Sequence, residues 1–445
     1  MLAVPAKAQS CVPQNAGLPP LTGRMVYEDF GGPVPNDPGA IYIYDFLSAN
    51  TCTMPALIPT ASMGLSAPTN PVFSPDGQAI VFSAVAPFGG PTGPSLQRHI
   101  YYWAIGAAYP RNLTLSMGNQ RFEDVKFSPD GAFMMWKQAG DGVSSGGIWK
   151  ANFGFDPSGE PQLTNPVQLV TGIRNSATEA SGPTFSPDAN HIYYFTGSGS
   201  FPPQQIEQYS LAGQTSGLAF SPQSSLNYYY YPVVDFTSGK LLYVGAPIGG
   251  RDKIFYFPNA NAIDAMSIPT TFNAGDTGSD DSDPAPVDGD HFIYSRDNNT
   301  GNSSYALYLG QLSTGMSWSL SPLNINVPNT SLRGATYTAI RPTISSIPLV
   351  VYNSGSGTVT STPTGTSCGP LCFAAYPPWT SVTLTATPAA GFTFGGWTGI
   401  CTGTGTCTVT MYAALNVFAH FSEISPPPSA FVLAITKSGT GSVTS

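Results

Sequence analysis

Asp276, Asp280, Asp281 and Asp283 crowd into one stretch, Asp276-Thr277-Gly278-Ser279-Asp280-Asp281-Ser282-Asp283. Carboxylates at that spacing can offer several oxygens to a hard cation such as calcium. Glu123-Asp124 and Glu179 are further acidic points which, brought to the same rim, would steer and dock a basic partner. Arg98, Arg121, Arg251 and Arg296 lie in or beside the same segments, so ordinary salt-bridged loops are the plain alternative. Material for covalent catalysis is thinner. Gly365-Thr366-Ser367-Cys368-Gly369 spells GxSxG, but no strand-to-helix elbow surrounds it, and the four histidines, His99, His191, His291 and His420, are scattered. HExxH, Walker and paired-carboxylate patterns are absent from the sequence. No catalytic residue stands out, calcium is the ion these carboxylates would suit, and the chain reads as a non-enzyme.

The elements that position these residues are strands. Among 445 residues, 48 are glycine and 43 proline, and only 9% are charged, against roughly 25% in an average soluble protein. Short aromatic or β-branched runs separated by Gly, Pro, Ser, Thr and Asn are the texture of an all-β protein with many turns. A net charge of −9 with 16 Lys and Arg spread along the chain leaves no basic stripe for nucleic acid. No apolar run of about 18 residues is present to span a membrane as a helix. Met1 to Ala8 ends in the small-x-small pattern of an export cleavage site, without a charged leader, so residues 1–19 read as a signal remnant and lead-in. Cys11 and Cys52, Cys368 and Cys372, and Cys401 and Cys407 make an even set that suggests three disulfides and an oxidising compartment. Zinc is the weaker reading, since neither close pair is CxxC and no histidine stands at finger spacing.

One turn is spelled repeatedly: Phe73-Ser74-Pro75-Asp76-Gly77, Phe127-Ser128-Pro129-Asp130-Gly131, and a worn copy from Phe185 to Ala189. An apolar and an aromatic residue follow in fixed register, as Ile80 and Phe82, Met134 and Trp136, and Ile192 and Tyr194. Proline presets the turn, aspartate bonds back to the backbone, and glycine accepts the positive φ, so each copy is a hairpin. Fainter copies at Val234 to Gly239 and Pro286 to Gly289 bring the repeat starts to 73, 127, 185, 235 and 285. Third strands follow at 99–103, 147–150, 253–257 and 305–309. A period of this length with four short strands per unit means propeller blades. Arg24 to Tyr27 and Ile41 to Tyr44 lack a first strand, whereas Thr336 to Pro342 is a first strand without a blade. Joining them closes a six-bladed ring over residues 20–345.

FSPDG followed by an Ile-x-Phe strand resembles the PD40 repeats of TolB-like propellers. That resemblance implies a bacterial, exported, protein-binding propeller. Tyr228-Tyr229-Tyr230-Tyr231 suits packing between blades, with glycan stacking as the alternative use of an exposed ring. From 346 to 424 the texture changes. Ser367 to Cys372, Val382 to Pro388, Gly391 to Trp397 and Cys401 to Met411 resemble the bacterial surface module related to internalin B-type repeats, a small disulfide-bonded β domain with Trp397 in its core. A Pro-rich linker, 425–430, leads to 431–445, where Ser438 to Ser445 repeats Ser354 to Ser361. This reads as the first strand of a second, incomplete module and as the start of a longer array. Self-association through that strand is the sharper alternative.

The expectation is a secreted or surface-attached, non-catalytic scaffold that binds protein or glycan at the propeller face. A periplasmic docking component, a fibre subunit and a propeller enzyme follow in that order.

Overall fold

The computed structural model describes residues 21–29, 40–46, 56–85, 98–139, 146–172, 179–197, 204–222, 226–273, 278–297, 305–320, 331–339, 346–411, 415–424 and 435–444, except 22, 59, 61–63, 108, 119, 227, 248–249, 265, 366, 369–370, 378–379, 400 and 443. The chain divides into two compact units, Met1–Thr343 and Ile344–Ser445.

Six four-stranded antiparallel sheets make up the described part of the first unit. β1 (Arg24–Asp29), β2 (Ala40–Asp45) and β3 (Ala56–Leu57) are completed by β24 (Leu332–Thr338) from the far end of the unit. The second sheet is β4 (Ser66–Phe73), β5 (Ala79–Val85), β6 (Arg98–Ala104) and β7 (Arg111–Asn112). The third is β8 (Arg121–Phe127), β9 (Phe133–Ala139), β10 (Gly146–Phe155) and β11 (Pro161–Gly172). The fourth is β12 (Ala180–Phe185), β13 (His191–Thr196), β14 (Gln205–Ser210) and β15 (Thr215–Leu218). The fifth is β16 (Tyr228–Asp235), β17 (Lys240–Ala246), β18 (Lys253–Phe257) and β19 (Thr270–Thr271). The sixth is β20 (Asp280–Pro286), β21 (His291–Asp297), β22 (Ala306–Gln311) and β23 (Ser317–Ser319). The first strands touch one another in a closed circuit, β24, β4, β8, β12, β16, β20 and back to β24, so the sheets are the blades of a six-bladed propeller around a channel.

The composite blade closes as the sequence suggested, with Met25 opposite Tyr337 and Arg24 opposite Thr338. Its first strand begins earlier than Thr336, because pairing runs on to Asp29 opposite Leu332. A buried Arg24 then bolts this blade to the next, donating to the Gly77 carbonyl at 2.6 Å.

In the repeated turn the serine hydroxyl holds the aspartate: Ser74 to Asp76 at 2.5 Å, Ser128 to Asp130 at 2.5 Å and Ser186 to Asp188 at 2.6 Å. Gly77 closes its turn at φ 65°, and Ala189 in the worn copy takes the same left-handed conformation at φ 55°. Ile80, Phe82, Met134, Trp136, Ile192 and Tyr194 are all buried on the second strands. They pack each sheet against its neighbours.

The second unit contains β25 (Ile347–Ser354), β26 (Gly357–Thr362), β27 (Ser367–Cys368), β28 (Leu371–Tyr376), β29 (Ser381–Pro388), β30 (Phe392–Gly399), β31 (Cys407–Thr410) and β32 (Leu415–Glu423). They form two sheets, ordered β28-β25-β32-β30 and β27-β26-β29-β31, with β25 and β32 parallel. Between the sheets lie Leu349, Val351, Val382, Leu384, Val417 and the 2%-exposed Trp397. Cys401 and Cys407 are disulfide-bonded. Cys11 and Cys52 lie outside the described residues, as do the side chains of Cys368 on β27 and Cys372 on β28. The described part of 435–444 forms no strand and is exposed, although its sequence repeats the start of the module.

Candidate functional site

Each first strand breaks register near its middle, and β4 does so a second time nearer its start. The residue in the break is left-handed every time: Asn70 (φ 53°), Asp124 (53°), Gly182 (56°), Tyr231 (49°), Asp283 (51°) and Gly334 (57°). Asn, Asp and Gly tolerate that region, whereas Tyr231 adopts it at a cost. Pro71, Pro183, Pro232 and Pro284 follow four of these residues. Having no N–H to pair, proline is admitted where a bulge interrupts the ladder. The bulges turn backbone amides toward the neighbouring blade, and carboxylates meet them there.

Glu28 on β1 accepts from the Asn70 amide and from Thr69 Oγ1 at 3.0 Å, both on β4. Asp124 accepts the Gly182 amide at 3.2 Å. Asp283 accepts the Gly334 amide and the Ser282 hydroxyl. Blades 1 and 2, 3 and 4, and 6 and 1 are thereby clasped. Burial raises the pKa of all three carboxyl groups, and that of Glu28, 3% exposed, climbs from 4.5 to about 7. Lys126 on β8 feels Asp124, Glu28 and Asp283 at once, while burial pulls its ammonium below the usual lysine range. Only a group near the axis can sense carboxylates from three separate blades, so these side chains line the channel. Arg333 is also there, its guanidinium 3.8 Å from the ring centre of Tyr305. Tyr231 is 43% exposed, yet blades surround it. Asp252 takes the Tyr230 hydroxyl, and burial raises its pKa.

The sequence placed the acidic residues in loops leading into the first strands. The structure places Glu123 and Asp124 on β8 and Asp280, Asp281 and Asp283 on β20, with Glu179 just ahead of β12. Asp276 lies outside the described residues. Alternation along a strand separates neighbours. Asp280 pairs with Arg251 at 2.7 Å, Asp281 is gripped by Arg296 at 2.7 and 3.0 Å, and Asp283 faces the channel. Glu123 meets Arg121 and Arg98, and Glu179 meets Lys137. Of the described acidic residues singled out, Asp124 and Asp283 join the channel set and Glu123, Glu179, Asp280 and Asp281 are tied to cations. Among the described residues no three Asp, Glu, His or Cys side chains converge to hold a metal.

Glu28, Lys126, Asp252 and Arg333 were not foreseen as site residues. The Asn-Pro, Gly-Pro, Tyr-Pro and Asp-Pro pairs just before the turn motif are the signal that marks the bulges carrying the site. The Tyr228 to Tyr231 run divides its work. Tyr229 is buried against Phe220 and Tyr243, Tyr230 and Tyr231 meet Phe195, and Tyr231 reaches the channel. The GxSxG serine, Ser367, lies on the two-residue strand β27, not at a nucleophile elbow.

Residues 347–425 match the family of the divergent InlB B-repeat domain. Among solved structures, hydrazine synthase from Kuenenia stuttgartiensis is similar at 9% identity and TM-score 0.51, over 89% of this chain and 68% of its own. TolB from Acinetobacter baumannii is similar at 14% identity and TM-score 0.47, over 72% of this chain and 67% of its own. A puromycin-hydrolyzing peptidase of Mycobacterium tuberculosis gives 14% identity and TM-score 0.42, over 66% of this chain and 42% of its own. No curated protein matches the sequence. Likeness at such identity speaks for fold, not activity. The chain joins a six-bladed propeller to a small β module, and within it residues 347–425 match the divergent InlB B-repeat domain family.

Proposed function

We propose that the protein is a non-catalytic binding scaffold, exported from the cytosol, whose propeller docks a protein partner at the channel mouth while the B-repeat module serves as its stalk. The observation that carries this reading is the state of the channel groups. Asp124 and Asp283 are fixed by backbone amides, a rigid polar lining suited to recognition, and the rim charges at Glu123, Glu179 and Asp280 are fixed in ion pairs. The Cys401–Cys407 disulfide fits an oxidising compartment, and no described helix is long and apolar enough to cross a membrane. A photo-crosslinking residue at Tyr231, in the channel, should capture a discrete partner from an envelope extract, and one at Phe236, on the β16–β17 turn, should not. Equal capture at both positions, or turnover of chromogenic ester or peptide substrates by the purified chain, overturns the proposal.

A further inference from the structure

The hydrogen bonds around Glu28 close in one direction when its carboxyl group carries a proton. Thr69 Oγ1 stands 3.0 Å from Glu28 Oε2 and 3.3 Å from Asn70 Oδ1. If Glu28 is ionised, both of those oxygens can only accept, and a hydroxyl has one proton to give. One contact then sets acceptor against acceptor. With a proton on Oε2, Glu28 donates to Thr69, Thr69 donates to Asn70 Oδ1, and Glu28 Oε1 accepts the Asn70 amide. Glu28 is 3% exposed, so water does little to stabilise a charge on it.

The surrounding elements add charges of both signs. Asp283 on β20 favours the proton, Arg98 on β6 and Lys126 on β8 oppose it, Arg333 stands opposite on β24, and Tyr231 reaches in from β16. We propose that Glu28 is a proton switch of the channel: protonated, it is a neutral bridge from the closing blade to the next; deprotonated, it adds a third negative charge beside Asp124 and Asp283. The switch sits where the ring is closed, so the same proton couples the charge of the channel to the stability of the propeller.

Burial supports the assignment, raising the carboxyl pKa from 4.5 to about 7 against the pull of the Asn70 amide and the Thr69 hydroxyl. Between those two values the folded chain holds a proton that the unfolded chain has released. Stability from this group is therefore full on the acid side, falls as pH rises to about 7, and is level above it. The change amounts to roughly 300-fold in the folding equilibrium. Asp124 and Asp283 act in the same sense, which makes the comparison with a variant essential.

The experiment is guanidinium unfolding of the intact chain from pH 5 to 9. Gln at this position keeps both bridges without a titrating proton. Glu28→Gln should exceed the parent by only about fourfold near pH 5 and by more than two orders of magnitude in the folding equilibrium near pH 8. Thr69→Val breaks the relay and should shift the parent's loss of stability to lower pH, whereas Thr69→Ser should leave it in place. The competing arrangement turns the Asn70 amide so that Nδ2 faces Thr69 and Glu28 stays ionised. An equal offset between Glu28→Gln and the parent at pH 5 and pH 8 establishes that arrangement and overturns the switch.

Discussion

Four of the six channel bulges hold a non-glycine residue in the left-handed region, so backbone conformation alone does not demand glycine at Gly334. Space does. A Cβ on Gly334 would stand 2.8 Å from Glu28 Oε1, the oxygen that receives the Asn70 amide. Gly334→Ala therefore has two costs. The left-handed alanine costs about 1 kcal/mol, of which about 0.5 kcal/mol is offset because alanine has fewer unfolded conformations to lose. Displacing the carboxyl group weakens its bonds to Asn70 and Thr69, at about 2 kcal/mol. The sum is about 2.5 kcal/mol. Glu28→Ala removes the obstructing oxygen, and in that background Gly334→Ala should cost about 0.5 kcal/mol, leaving a coupling of about 2 kcal/mol. Guanidinium unfolding of the four proteins at fixed pH, followed by tryptophan emission, measures the cycle. A Gly334→Ala penalty that is the same with and without Glu28 would falsify the claim that the clasp dictates this glycine.

The ion pairs of β20 should separate by burial. Asp281→Ala removes the bidentate partner of the 7%-exposed Arg296 and should cost about 3 kcal/mol, whereas Asp280→Ala breaks a partly exposed pair with Arg251 and should cost about 1 kcal/mol or less; equal losses in denaturant melts contradict the assignment. Because these two carboxylates are held by arginines, millimolar calcium should leave the melting temperature unchanged, and a calcium-dependent rise that disappears in Asp280→Asn refutes that view. Loss of the Cys401–Cys407 bond, at a sequence separation of 6, should cost the module about 2 kcal/mol on loop-closure grounds, read as the difference between the parent and a Cys401→Ala, Cys407→Ala double variant.

The ring was legible because its signals are local and repeated. FSPDG fixes the hairpin, and the register from Phe73 to Ile80 and Phe82 fixes which faces are buried, so three good copies suffice to phase the weaker ones. Closure was legible for a different reason: Met25 and Tyr337 belong to stretches that each lacked a partner. The channel set was not legible, because its members come from different blades. Glu28 lies in an unremarkable Val-Tyr-Glu-Asp stretch, and nothing local tells that Asn70 and Gly334 stand beside it. Asp281 and Asp283 look equivalent in sequence, yet the bulge at Asp283 sends one into the channel and leaves the other against Arg296. Asp, Ser and Gly favour turns, so the acidic stretches look like loops in the sequence. The bulges use that same tolerance inside strands.

Pairing Arg24 with Thr338 places the two chain ends of the propeller side by side in one antiparallel ladder. A tug on those ends loads the Arg24–Thr338 rung first and then each rung behind it in turn, the geometry of a zip fastener and not of a lap joint. Tension passed along the polypeptide would therefore open this sheet at low force while the other five, each threaded by one continuous segment, stay shut.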